Sequence, residues 1–188
     1  ADSGVDGFEQ DFEAVAIAAG SPDGAVDLPL FDPADWTGSR PPERQWRWDS
    51  FVPDLQATLL TGAGAAGKSL ATQQMSTCIA LGLPFLGVET RQATALYITC
   101  EDDLDELHRR QEAICAMLGV SFEQTRGKLF LLSLQGEIGN ELATFDADGS
   151  LTIAPRYHQI ERACLERGIS HVTLDNTAHF FTGNENDR

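Results

Sequence analysis

Lysine is nearly absent from this 188-residue chain: of 13 basic residues only two, Lys68 and Lys128, are lysines. Basic residues are outnumbered by 29 acids, giving a formal charge of -16. That balance excludes a surface that adsorbs nucleic acid indiscriminately, which needs Lys and Arg to displace counterions, but leaves room for a local basic groove. Residues 1 to 39 contain no Lys or Arg and nine acids, Asp2, Asp6, Glu9, Asp11, Glu13, Asp23, Asp27, Asp32 and Asp35. The segment cannot bury much alone and reads as an acidic arm, solvated or docked on a neighbouring subunit. Phe8, Phe12, Val15 and Ala19 would share one stripe of a helix there. No run approaches the ~18 apolar residues of a membrane span, and no basic-then-apolar leader is present. A cytoplasmic protein with no membrane partner is expected. Four cysteines, Cys78, Cys100, Cys115 and Cys164, include no C-x-x-C pair, so buried thiols are expected rather than a metal or redox pair.

What is present is one core and one loop. A 42% hydrophobic content suffices for a single sizeable core, placed at 40 to 188. Within it, Ala57-Thr58-Leu59-Leu60 predicts a short buried strand. The strand leads into Gly62-Ala63-Gly64-Ala65-Ala66-Gly67-Lys68-Ser69-Leu70, a G-x-x-x-x-G-K-S pattern at a helix start. Gly62, Gly64 and Gly67 permit tightly turned or left-handed backbone, so that N–H groups can face phosphate oxygens. The helix N-terminus adds unpaired donors and a positive dipole end. Lys68 would reach the β and γ phosphates, and the Ser69 hydroxyl would ligate Mg²⁺. A Gly/Ala-rich turn can match this pattern by chance, but the strand, loop and helix context argues otherwise.

Strand and helix then alternate, which predicts a mainly parallel sheet. Ala71, Met75 and Cys78 recur at helical spacing until Gly82 and Pro84 stop the helix. Residues 95 to 100 form a second strand, and a helix over 103 to 118 would turn Leu104, Leu107, Ile114 and Leu118 inward. Its outer face carries Asp105 with Arg109 and Glu106 with Arg110 as i,i+4 pairs. Residues 128 to 132 make a third strand, 143 to 145 and 151 to 153 a hairpin, and Pro155 opens a helix ending at Gly168. Residues 169 to 174 deliver Asp175 at a strand end, where an acid can hold the hydration shell of Mg²⁺. Glu101 also follows a buried strand, and a carboxylate there can orient and deprotonate a water. Asp102 and Asp103 compete for that role, and all three could instead cap the next helix. Trp46, Trp48 and Phe51 could stack on a base, though packing is the commoner use of aromatics beside a strand.

The loop, Tyr97-Ile98-Thr99-Cys100-Glu101-Asp102-Asp103 with His108-Arg109-Arg110, and Leu174-Asp175-Asn176-Thr177 followed by Gly183-Asn184-Glu185-Asn186-Asp187 resemble the RecA-like ATPases of the plasmid RepA helicase group. Asp35-Trp36 and Trp48 share in the resemblance, which spans about 32 to 188. It implies a RecA-like P-loop core binding ATP and Mg²⁺ between subunits of a homo-oligomeric ring, such as a hexamer. The corresponding roles fall on Lys68, Ser69, Glu101 as the catalytic base and Asp175. It also implies single-stranded DNA, or a replication or recombination protein, as partner. RecA-like cores carry a further strand, a γ-phosphate sensor and an arginine finger after the Asp-bearing strand. This chain reaches Arg188 before any of them, so it is expected to be an excerpt.

Two functions from different classes remain open: an ATPase motor acting on DNA, and a nucleotide-gated regulator that does not unwind. The motif set favours the first and the acidity the second. A small-molecule phosphotransferase would need a basic lid, and no arginine cluster follows the relevant strands.

Overall fold

The strand β3 (Ala95–Thr99) is buried at every residue because it lies in the middle of a three-stranded sheet. β4 (Leu129–Ser133) and β7 (His171–Asp175) flank it, both parallel, so that Thr99 sits opposite Ser133 on one side and Asp175 on the other. The structure is a computed structural model and describes residues 29–145 and 150–181. The chain divides into two units, 1–43 and 44–188. In the first, the described residues hold one short turn, Pro33–Trp36, started by Asp32, whose carboxylate accepts from the Ala34 N–H at 2.9 Å. The Phe8 to Ala19 stripe lies outside the described residues, as do residues 146 to 149 of the hairpin turn.

The second unit begins with β1 (Trp46–Trp48) and β2 (Val52–Pro53), paired antiparallel. Arg47 is buried and bonds Asp54 at 2.6 Å, and Arg91 pairs with the same carboxylate. The aromatics before the loop are used in packing. Trp48 stacks on Phe51 at 4.3 Å and meets Phe85 edge-on, and Arg44 lies over Trp46.

The alternation of side chains along β3 divides the interior into two layers. Leu96, Ile98 and Cys100 join Leu134, Leu142 and Phe180 in one core, covered by Tyr157, Ile160 and Cys164 of α3 (Pro155–Arg167). Tyr97 and Thr99 face the other way, toward α1 (Lys68–Leu81), which packs on β3 and β7 and is flanked by α2 (Leu104–Leu118). The interface between α1 and α2 is polar. Gln73 is fully buried, donating to the Leu107 carbonyl and to Gln111 Oε1, both at 3.1 Å. The hairpin of β5 (Ala143–Phe145) and β6 (Leu151–Ile153) is antiparallel, as its alternation predicts. Gly82, Gly119 and Gly168 end α1, α2 and α3 in the left-handed conformation that a Cβ disfavours.

Three expectations are corrected. The strand at Ala57-Thr58-Leu59-Leu60 does not form: residues 57–63 have no regular structure, and Leu59 is 69% exposed. Its would-be ladder is missing. β7 pairs with β3, and among the described residues no strand lies along its other edge, while residues 57–60 are exposed. Leu104 points outward, 67% exposed, because α2 turns Leu107, Gln111, Ile114 and Cys115 inward instead. Arg109 pairs with Glu106 rather than Asp105. The cysteines behave as expected: Cys78, Cys100 and Cys115 are buried, Cys164 half-buried, and all are free thiols.

Candidate functional site

The loop before α1 is shaped by two left-handed residues, Ala65 and Gly67, at φ 56° and 82°. Of the three glycines expected to be special, Gly67 takes that conformation. Gly62 and Gly64 turn with ordinary φ, and Ala65 carries the strain instead. Gly67 is also the N-cap of α1 and has no side chain to give, so the first N–H groups of the helix have no side-chain cap. Lys68 bends back over the loop, its Nζ donating to the carbonyls of Gly62 at 3.0 Å and Ala63 at 2.8 Å. An ammonium so held, amid uncapped amides at a helix dipole's positive end, forms an anion-binding cradle. Residues 61 to 67 and Leu70 are exposed, and Ser69 is half-buried.

The two strand ends that carry acids are adjacent. Thr99 and Asp175 are paired neighbours, and the Cys100 N–H donates to the Asp175 carbonyl at 3.0 Å. Asp175 is tied to α1 through Tyr97, whose hydroxyl donates to Asp175 Oδ2 at 2.6 Å and lies 3.4 Å from the Ser69 carbonyl. Ser69 and Asp175, far apart in sequence, thus sit on either side of one buried phenol. Burial, and then the bond to Asp175, raises the Tyr97 pKa and keeps the phenol protonated as a donor.

The three consecutive acids have different neighbours. Asp103 caps α2, its carboxylate accepting from the Glu106 N–H at 2.7 Å. Asp102 holds Arg110 with two bonds, 2.5 and 2.9 Å, and Arg110 also reaches Glu106 at 2.9 Å. Glu101 serves neither purpose. Its backbone is pinned, the N–H donating to Thr99 Oγ1 and the carbonyl accepting from the Gln135 side chain at 2.9 Å. Its carboxylate stays 53% exposed. It accepts from the Asn176 amide and lies 3.7 Å from His179 Nε2. Burial raises the Cys100 pKa, so the thiol beside Glu101 is not poised as a nucleophile.

Ser69 on α1 and Asp175 at the end of β7 offer one hydroxyl and one carboxylate, a set that fits Mg²⁺, which keeps several waters and takes phosphate oxygens as further ligands, better than a metal that needs a protein cage. Among the described residues no group of three or more His, Cys, Asp or Glu could hold a metal by itself.

The structure therefore brings Ser69, Asp175 and Glu101 to the C-terminal edge of one parallel sheet, where open α/β sheets take their ligands, while Lys68 beside Ser69 is turned onto its own loop. Sequence reasoning gave no role to Tyr97, Asn176 or His179. A signal existed for the first, because a tyrosine in a wholly buried strand must find a partner for its hydroxyl. Asn176 and His179 meet Glu101 through the turn after β7, which local patterning does not reveal.

Fold and loop together define a P-loop nucleotide-binding domain. A family model described as an AAA domain matches residues 25–188, and the chain belongs to that family of P-loop ATPases. No curated protein matches the chain. No helix among the described residues is long and apolar enough to cross a membrane.

Proposed function

We propose that the protein is a magnesium-dependent, RecA-like ATPase related to the plasmid RepA helicase group. In this reading, loop residues 62–70 cradle the phosphates and Lys68 neutralises the β and γ phosphates. Ser69 and Asp175 would hold Mg²⁺, Ser69 directly and Asp175 through its waters. Glu101 takes a proton from water as the water oxygen bonds to the γ phosphorus, and the bond to the bridging oxygen breaks to release ADP. When bound, the metal supplies charge to the β and γ oxygens. The observation that carries the reading is the separation of the three acids: Asp102 and Asp103 are spent on Arg110 and on the α2 cap, which leaves Glu101 at the strand end.

The most concrete form of the activity is a motor on single-stranded DNA. The charge of -16 supports a second reading, a nucleotide-gated regulator of a replication or recombination partner. Acceleration of ATP turnover by single-stranded DNA discriminates between them. In both readings the active form is a ring, as the resemblance to the RepA group implies, with a neighbour's arginine at the transition state; Arg110 does not serve, being committed to Asp102 and Glu106. Such residues contribute about 10³ to 10⁵ in rate. Specific activity that rises with protein concentration is expected, and brisk hydrolysis by a strict monomer would rule out this part. Lys68→Ala should abolish ATP binding, at a cost of about 1.5 to 3 kcal/mol or more. Undiminished ATP affinity by calorimetry would defeat the whole assignment.

A further inference from the structure

We infer that Tyr97 is a positioning residue that locks the Asp175 carboxylate against the first turn of α1 and thereby sets the affinity of the site for the magnesium–nucleotide complex. The inference rests on the reading of Ser69 and Asp175 as the metal-side pair.

Four observations carry it. Tyr97 is fully buried, so its ring is fixed by packing and its hydroxyl has a single place to be. That hydroxyl has one proton to give, and at 2.6 Å it is given to Asp175 Oδ2 in a short, charge-assisted bond. The same oxygen lies 3.4 Å from the Ser69 carbonyl, so the phenol touches the two residues expected at the metal. Finally, the register makes the reach specific. Tyr97 stands opposite Thr173, and Asp175 is the next residue on the same face of β7, a diagonal that an aromatic side chain spans.

The physical consequence is orientation. A carboxylate at a strand end turns freely about its side-chain bonds. With Oδ2 tied to the phenol, Oδ1 remains for a metal-bound water. The other hydroxyls on this face are otherwise engaged: Thr173 is bonded to Ser76 on α1 at 2.9 Å, and Thr99, opposite Asp175, accepts from the Glu101 and Asp102 N–H groups, and neither bonds the Asp175 carboxylate. Residues that orient metal-site groups from behind typically change metal affinity by about 10- to 100-fold when altered.

The test is Tyr97→Phe in the full chain, which removes the hydroxyl and keeps the ring. In Mg²⁺ titrations at fixed ATP, the half-saturating Mg²⁺ concentration should rise about 10-fold. ATP binding in EDTA should be unchanged, and saturating Mg²⁺ should restore kcat. A purely structural role would lower kcat and thermal stability without moving the Mg²⁺ midpoint. Asp175→Asn, measured in parallel, separates the inference from its premise. If Asp175→Asn shifts the Mg²⁺ midpoint and Tyr97→Phe does not, the positioning role is refuted. If neither shifts it, the metal assignment of Asp175 has failed first. In the double variant Tyr97→Phe should add nothing, and a full additive loss also refutes the coupling. Should Tyr97→Phe fold poorly, the wild-type protein still decides. The Cζ resonance of Tyr97 in protein labelled with ¹³C-tyrosine, assigned through Tyr157→Phe, should move with Mg²⁺ and ATP but not with ATP in EDTA. An unmoved resonance overturns the inference.

Discussion

Replacing Glu101, Asp102 and Asp103 one at a time should give three distinct phenotypes, because each carboxylate answers to a different partner. Asp103→Ala removes the cap of α2, where the Asp103 carboxylate accepts from the Glu106 N–H at 2.7 Å. Loss of such a cap costs about 1 kcal/mol, or roughly 2 to 4 °C in Tm for a chain of this size. Asp102→Asn breaks the paired bonds to a half-buried Arg110 guanidinium. Hydrogen bonds to charged groups contribute about 1.5 to 3 kcal/mol, and the lower end applies because Arg110 keeps Glu106 at 2.9 Å. Glu101→Gln leaves the α2 cap and the Arg110 pair alone and weakens only the exposed contact with His179, so stability should change by less than about 0.5 kcal/mol. Its turnover should fall by about 10² to 10⁴, the worth of a positioned general base, with ATP still bound. Urea unfolding and a steady-state ATPase assay on the three variants separate these outcomes. Near-normal hydrolysis by Glu101→Gln, or a collapse of turnover in Asp102→Asn or Asp103→Ala at unchanged stability, would refute the division of labour.

His171 gives the protein an acid-sensitive foot. Burial, with Arg47 nearby, lowers its pKa to about 4, below the ~6.5 of the unfolded chain. The unfolded state therefore takes up a proton first as pH falls. Stability should be unaffected above pH ~7 and decline between ~6.5 and ~4, by at most about 3 kcal/mol. In His171→Asn this part of the slope should vanish, and an identical pH profile for the variant would contradict it. Gln73→Leu should destabilise the fold by about 1 kcal/mol despite its greater apolarity, because the Leu107 carbonyl and Gln111 Oε1 lose a buried donor, Gln111 Oε1 keeping the Thr77 hydroxyl. Denaturant unfolding reads this directly, and a neutral or stabilising effect would show that packing outweighs the network.

The loop, the helices and the parallel sheet were legible in the chain because each is a local pattern. Gly67-Lys68-Ser69 at a helix start, the 3.6-residue spacing of α2 and the glycines at 82, 119 and 168 act within a few residues of themselves. The strand ends at Thr99 and Asp175 were legible for the same reason: apolar runs stop at the residues where acids begin. The missing strand at 57–60 was not, since a strand needs a neighbour and pairing is a property of the sheet rather than of the segment. Leu104 likewise reads as inward by period, and only the placement of α2 beside α1 and β4 leaves it in solvent. The choice among Glu101, Asp102 and Asp103 lay beyond any pattern. Three adjacent acids are equivalent in sequence, and Arg110, the Glu106 N–H and Asn176 distinguish them only once α2 and β7 have converged on the same edge. Tyr97 makes the same point from inside the core. Its bond to Asp175 spans 78 positions in the chain and one diagonal of the sheet, a distance that only the parallel register of β3 and β7 closes.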